Sequence, residues 1–88
     1  MIPLNLAIHF ERIEYEDAAL ALARRLFARF DEGIDSLTLT PVPEDEFALF
    51  LNGTLIRSQR QSGQPPRVAD IVAVIESERV MPHIIGER

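Results

Sequence analysis

Hydrophobic and polar positions follow two periods along this chain. Leu4, Leu6, Ile8 and Phe10 fall on one side of an extended segment with small Ala7 on the other, which predicts a strand with one covered face. Pro3 suits its start. Glu11 to Glu16 reads as a short charged connection, and from about Asp17 to Phe30 the period lengthens. Leu20, Ala23, Leu26 or Phe27, and Phe30 then share one helical face, with Arg24, Arg25 and Arg29 largely on the other. Glu14, Glu16 and Asp17 stand at the positive end of that helix dipole and the arginines near its negative end. Gly33 is the expected left-handed cap. Ser36 to Thr40 alternates again, closed by Pro41-Val-Pro43 and the acidic turn Glu44-Asp-Glu46.

Two further apolar runs, from Phe47 and up to Arg57, meet at Asn52-Gly53. This pair tolerates the two positive φ angles of a type I′ turn, so the runs predict a tight hairpin. Residues 57–64 are polar and read as a surface loop. Pro65-Pro66 then opens a second helix whose apolar face is Val68, Ile71, Val72 and Ile75, and Pro82 limits how far it runs. The predicted order is β-α-β-β-β-α. Its long helical connection implies parallel first and second strands with a right-handed crossover. Helices with one apolar face each imply a two-layer α/β sandwich on a mixed sheet. Residues 1–81 are expected to form a single domain, followed by a tail over 82–88.

Composition narrows the chemistry more than the fold. The 88 residues are 47% hydrophobic and 26% charged, ordinary values for a folded domain, but a chain this short has a thin stability margin unless it associates. Cysteine is absent, which removes disulfides, thiol nucleophiles and thiolate metal sites. All nine basic residues are arginine, so no lysine is available for a Schiff base. A net charge of −5 opposes binding to nucleic acid. No apolar run approaches the roughly 20 residues of a membrane span, and the first residues lack a secretory pattern. A cytoplasmic location is expected, with no membrane partner.

The run Phe47-Ala-Leu-Phe-Leu-Asn-Gly-Thr-Leu-Ile-Arg-Ser58, followed by Gly63 and Pro65, resembles the Phe-Glu-Val-x-x-Asn-Gly-x-Leu-Ile-x-Ser run and downstream Gly-x-Pro of the Rdx family. These are the selenoprotein W-like proteins with a thioredoxin-like fold. Ser36 to Pro41 is similar to the family's second strand, Leu6 to Phe10 to its first, and the resemblance extends to about Ser77. It implies a thioredoxin-like β-α-β-β-β-α domain. In the family a Cys-x-x-Cys or Cys-x-x-selenocysteine motif opens the first helix, where backbone amides stabilise a thiolate. Here Phe10 takes the aromatic position before the motif, and Glu11 and Glu14 take its two reactive positions. A carboxylate can occupy that helix end, but it forms no disulfide and carries no selenium.

No residue is therefore assigned a catalytic role, and no cofactor is expected. Glu11 and Glu14 as a general acid–base pair would need burial or a close like charge; the plainer reading is helix-start acids and exposed charge. His9, Glu11, Glu14 and His83 could be assembled into a mixed N/O site, yet no tight ligand spacing exists and no metal is assigned. Arg57, Arg60 and Arg67, with glutamines between them, read either as an anion or acidic-partner patch or as scattered charge on a loop. Phe47 and Phe50 lie on opposite faces of one strand, so the second sheet face is closed by a partner, a second copy, a bulge or the C-terminal tail. Phe10, Phe50, Arg57, Arg60 and Arg67 mark the expected interaction surface. The functional expectation is a non-catalytic protein-binding or oligomerisation module. The alternative carried by the resemblance is an oxidoreductase-related protein of thiol or selenium metabolism that acts only with a redox partner.

Overall fold

The computed structural model describes the backbone over residues 3–86 and the side chains over 3–77. Strand β1 (Asn5–Glu11) leads into helix α1 (Arg12–Phe30), a 3₁₀ turn (Asp31–Gly33), and β2 (Ser36–Val42). Strands β3 (Phe47–Leu51) and β4 (Thr54–Ser58) follow, then a short helix α2 (Gln59–Ser62) and the long α3 (Val68–Gly86). The sheet order is β2-β1-β3-β4. β1 pairs parallel with β2, placing Ile8 beside Leu39, and antiparallel with β3, placing Ile8 beside Leu49. The mixed sheet and the parallel β1–β2 pair are as the sequence implied.

The alternation in β1 puts Leu4, Leu6, Ile8 and Phe10 into the core, where they meet Phe47, Leu49 and Leu51 of β3. From above, α1 contributes Ala19, Leu22, Ala23 and Leu26, and α3 contributes Ile71 with Val68, Val74 and Ile75 partly buried around it. Leu20 and Phe27, expected on the buried face of α1, are instead about half exposed. The helix carries two apolar stripes at helical spacing, and the one with small Ala19 and Ala23 is turned to the sheet because it permits a closer approach.

Several boundaries differ from expectation for local reasons. Helix α1 begins at Arg12, not near Asp17, because the Glu11 carboxylate caps it: one oxygen accepts from the Glu14 N–H at 2.9 Å and the other from the Ile13 N–H at 3.1 Å. Its end is closed by Asp31 at φ +49° with its N–H bonded to the Phe27 carbonyl, and Gly33 does not take a positive φ. With ψ at −120° this is not the left-handed helical region that Asp favours but a conformation glycine takes most readily. Strand β2 continues through Pro41 to Val42, which an edge strand allows because its outer side needs no N–H.

The segment expected as a loop is the end of β4 plus α2. Ser58 caps α2 through its hydroxyl, and Gly63 ends it at φ +77°. The last helix starts at Val68, after both prolines. Asp70 accepts the Arg67 N–H at 2.8 Å, half of a capping box that fixes the start there. That helix is assigned through Pro82 to Gly86, so the proline costs a hydrogen bond within the helix and does not stop it.

The Asn52-Gly53 turn forms as expected, with φ of +52° and +83° and Leu51 paired to Thr54. Asn52 does more than turn the chain: its side-chain amide donates to the Pro3 carbonyl at 2.9 Å, and its backbone N–H donates to the Asn5 carbonyl at 2.8 Å. The hairpin tip is thereby tied to the start of β1. Pairing between β3 and β4 skips Ile56, a bulge that moves Arg57 opposite Leu49 on the helix-covered side.

Candidate functional site

Two places could hold chemistry or contacts: the start of α1 and the outer face of the sheet. At the first, β1 ends and α1 begins without a loop, so Glu11 and Glu14 stand on the opening turn of the helix. Glu11 is partly buried with both carboxylate oxygens engaged on backbone amides, whereas the Glu14 side chain is exposed. The Glu11 N–H itself donates to the Glu46 carbonyl at 2.9 Å, anchoring this corner to the turn before β3. Tyr15 stacks on Phe47 with ring centroids 5.5 Å apart. Its hydroxyl is held above the ordinary phenol value, first by burial and then by the negative charge of Asp45, Glu14 and Glu11.

Two predictions concern this corner. Glu11→Ala is expected to cost about 1 kcal/mol, the usual loss of an N-cap, measured by urea unfolding followed by circular dichroism. Tyr15 is the one tyrosine of the chain, so its ultraviolet absorbance titration reads a single group. That titration is expected to lie above 10.0, the ordinary value, and Asp45→Asn is expected to lower it. Because the folded value is the higher one, stability is retained below pH 10 and falls as pH rises through the folded value.

On the outer face, side chains of β1 and β3 that point away from the helices come together. His9 lies against Phe50 with ring centroids 4.5 Å apart, over buried Ala48. With Val42, Leu55, Glu44, Glu46, Arg60 and Gln61 they line a concavity of about 290 Å³. Glu46 shapes its wall: its carboxylate accepts from the Ser58 hydroxyl and from the Phe47 N–H, each at 2.9 Å. The Ser58 hydroxyl in turn accepts from the Gln61 N–H, so Glu46 also positions α2 and with it Arg60. Sequence reasoning missed Glu46, Val42 and Leu55. The signal for Leu55 was its place opposite Phe50, while nothing local marked Glu46 as more than one acid of a turn.

The expected interaction residues are thus divided. Phe50 and Arg60 meet at the concavity. Phe10 is only 6% exposed and belongs to the core, as its alternation with Leu6 and Ile8 demands, so it offers nothing to a partner. Arg57 is turned by the bulge to the helix side, where it bonds buried Asp70 at 2.9 Å. Arg67 sits at the start of α3, exposed and 3.9 Å from the same carboxylate. His9 is drawn to Phe50 and the concavity, apart from Glu11 and Glu14 on the opening of α1, and the side chain of His83 lies outside the described residues. Among those residues no three His, Asp or Glu side chains form a group able to hold a metal ion. No helix among them is long and apolar enough to cross a membrane.

Comparison with solved structures decides the architecture. A selenoprotein W-related protein from Vibrio cholerae superposes with a TM-score of 0.71 at 24% identity, over 80% of this chain and 89% of that one. The fold is that of a selenoprotein W-related protein. A second structure, from Bordetella parapertussis, matches with a TM-score of 0.73 at 18% identity, over 88% of this chain and 99% of that one. No family model and no curated protein matches the chain. The selenoprotein W-like fold is here built without a single cysteine. What stands at the opening of its first helix is a carboxylate engaged in capping.

Proposed function

We propose that this selenoprotein W-like domain is non-catalytic and serves as a protein-binding or oligomerisation module, with Glu11 and Glu14 in place of a redox motif. The observation that carries the reading is the state of Glu11. At the end of β1, where the resemblance puts the first reactive thiol, both oxygens of a carboxylate are spent on the Ile13 and Glu14 amides. That contact stabilises the helix, and no thiol stands at its opening. The outer sheet face supplies a surface instead. Phe50, Leu55 and Val42 give the concavity an apolar lining with Glu44, Glu46 and Arg60 beside it, which suits an apolar side chain of a partner protein flanked by polar groups.

The test is affinity capture from native cells with three forms of the chain, each shown to be folded. The wild type and the double variant Glu11→Gln, Glu14→Gln are expected to retain the same companion protein, and Phe50→Arg is expected to lose it. Loss of the companion in the double variant with Phe50→Arg unaffected would overturn the reading. It would return weight to chemistry at the helix opening, or to service of a thiol- or selenol-bearing redox partner at that corner.

A further inference from the structure

Three large apolar side chains of α1 face solvent: Ile13 at 95%, Leu20 at 43% and Phe27 at 50% exposure. They recur every seven residues. Seven residues are 700° of helix, within about 20° of two full turns, so the three form one straight stripe roughly 21 Å long. Scattered exposed apolar residues need no explanation, but three aligned on one helix do. The stripe also has a defined neighbour. Tyr15, on the opposite flank of α1, stacks on Phe47 of β3, which turns the stripe toward the open edge strand β2. There Leu39 is exposed on the same side of the sheet.

We infer that a second copy of this chain covers the stripe, the two α1 helices packing antiparallel about a two-fold axis at Leu20. The inference rests on the binding-module reading above and names a partner for it. What selects a second copy over other occupants is that the stripe and its flank are self-complementary. About Leu20, Ile13 and Phe27 are equidistant, so each Ile13 meets the Phe27 of the other copy. Asp17 and Arg24 lie on one flank of the stripe, roughly 60° and 40° from Leu20, and about 4.5 Å below and 6 Å above it along the axis. A two-fold rotation brings Asp17 of each copy level with Arg24 of the other. Among the described residues, neither has an ion-pair partner within its own chain. A parallel two-fold pairing would carry this flank to opposite sides of the seam in the two copies, so that Asp17 and Arg24 would not meet across it. The charge pattern therefore specifies direction as well as partner.

The experiment is sedimentation equilibrium over a range of concentrations on the wild type and three variants, each checked for native circular dichroism. The wild type is expected to form a reversible dimer and Leu20→Asp a monomer. Asp17→Arg alone and Arg24→Asp alone are each expected to weaken the dimer by at least tenfold, since each places like charges level across the axis. Mixing these two variants is expected to restore association as a heterodimer. The introduced cation of one chain then lies level with the introduced carboxylate of the other, and native Arg24 with native Asp17. Recovery on mixing is a result that loss of folding could not produce.

A wild type that stays monomeric at its highest soluble concentration overturns the inference, as does a dimer that Leu20→Asp leaves intact. Either result leaves the binding-module reading to the capture experiment, whose deciding variant, Phe50→Arg, lies on the other face of the sheet.

Discussion

Ile8→Ala is expected to lower the unfolding free energy by about 4 kcal/mol, near the upper part of the range for removing a fully buried aliphatic chain. Ile8 has no exposed surface, and its strand is central, with Leu39 beside it on β2 and Leu49 on β3. α1 covers the same face with Leu22 and Leu26. Because strands bound the site on both sides and a helix closes it, the surroundings can collapse little into the cavity. Small domains stand near the lower end of a 5–15 kcal/mol range of total stability, so the variant should be substantially unfolded at 37 °C. Urea unfolding followed by circular dichroism reads the effect as a lower midpoint at unchanged slope. Arg25→Ala, on the exposed side of α1, is the control and should shift stability by no more than about 0.5 kcal/mol. A loss below about 1 kcal/mol for Ile8→Ala would mean that the core is not centred on β1.

Asp70→Ala is expected to cost about 3 kcal/mol. The carboxylate is buried and holds three groups: the Arg57 guanidinium at 2.9 Å, the Arg67 backbone N–H at 2.8 Å, and the Arg67 guanidinium at 3.9 Å. Removing it leaves a half-buried cation without its partner and the opening of α3 without its cap. Breaking a buried pair costs roughly 3–5 kcal/mol, and the lower end applies because water still reaches part of Arg57. The reverse change should be milder. Arg57→Met, at about 1–2 kcal/mol, leaves Asp70 with its cap and with Arg67, and it removes a buried guanidinium Nε that has no hydrogen-bond partner. The double variant should then be more stable than the sum of the two single losses predicts, because the unpaired cation is gone. Strict additivity would show that the pair contributes nothing to holding α3 on β4.

These two sites differ in how far the sequence announces them. The alternation around Ile8 marks it as a core position from the order of residues alone. Nothing in the run from Arg57 to Gln64 announces that Arg57 points inward, because the bulge at Ile56 reverses the side on which it emerges. The same limit applies at the candidate site. The acids at the helix opening and the missing thiol were legible, since both depend on residues adjacent in the chain. The concavity was not, since His9, Glu46, Phe50 and Arg60 come from four separate segments and meet only through the β1–β3 pairing and the Glu46–Ser58 bond.

Short-range rules with few solutions account for everything legible in the chain. A strand has two faces, so alternation in Leu4 to Phe10 left one choice, and it placed Phe10 inside. Two residues that tolerate positive φ made the Asn52-Gly53 hairpin, and the absence of cysteine removed thiol chemistry outright. Questions with several local answers were left to tertiary packing. Helix α1 carries two apolar stripes of similar length. Periodicity put Leu20, Ala23, Leu26 or Phe27, and Phe30 on one face, and only packing of Ala19, Leu22, Ala23 and Leu26 against the sheet separates the stripe that is buried from the one left in solvent. A strand's phase is set by its own sequence, whereas a helix's rotation is set by the neighbours it can approach most closely.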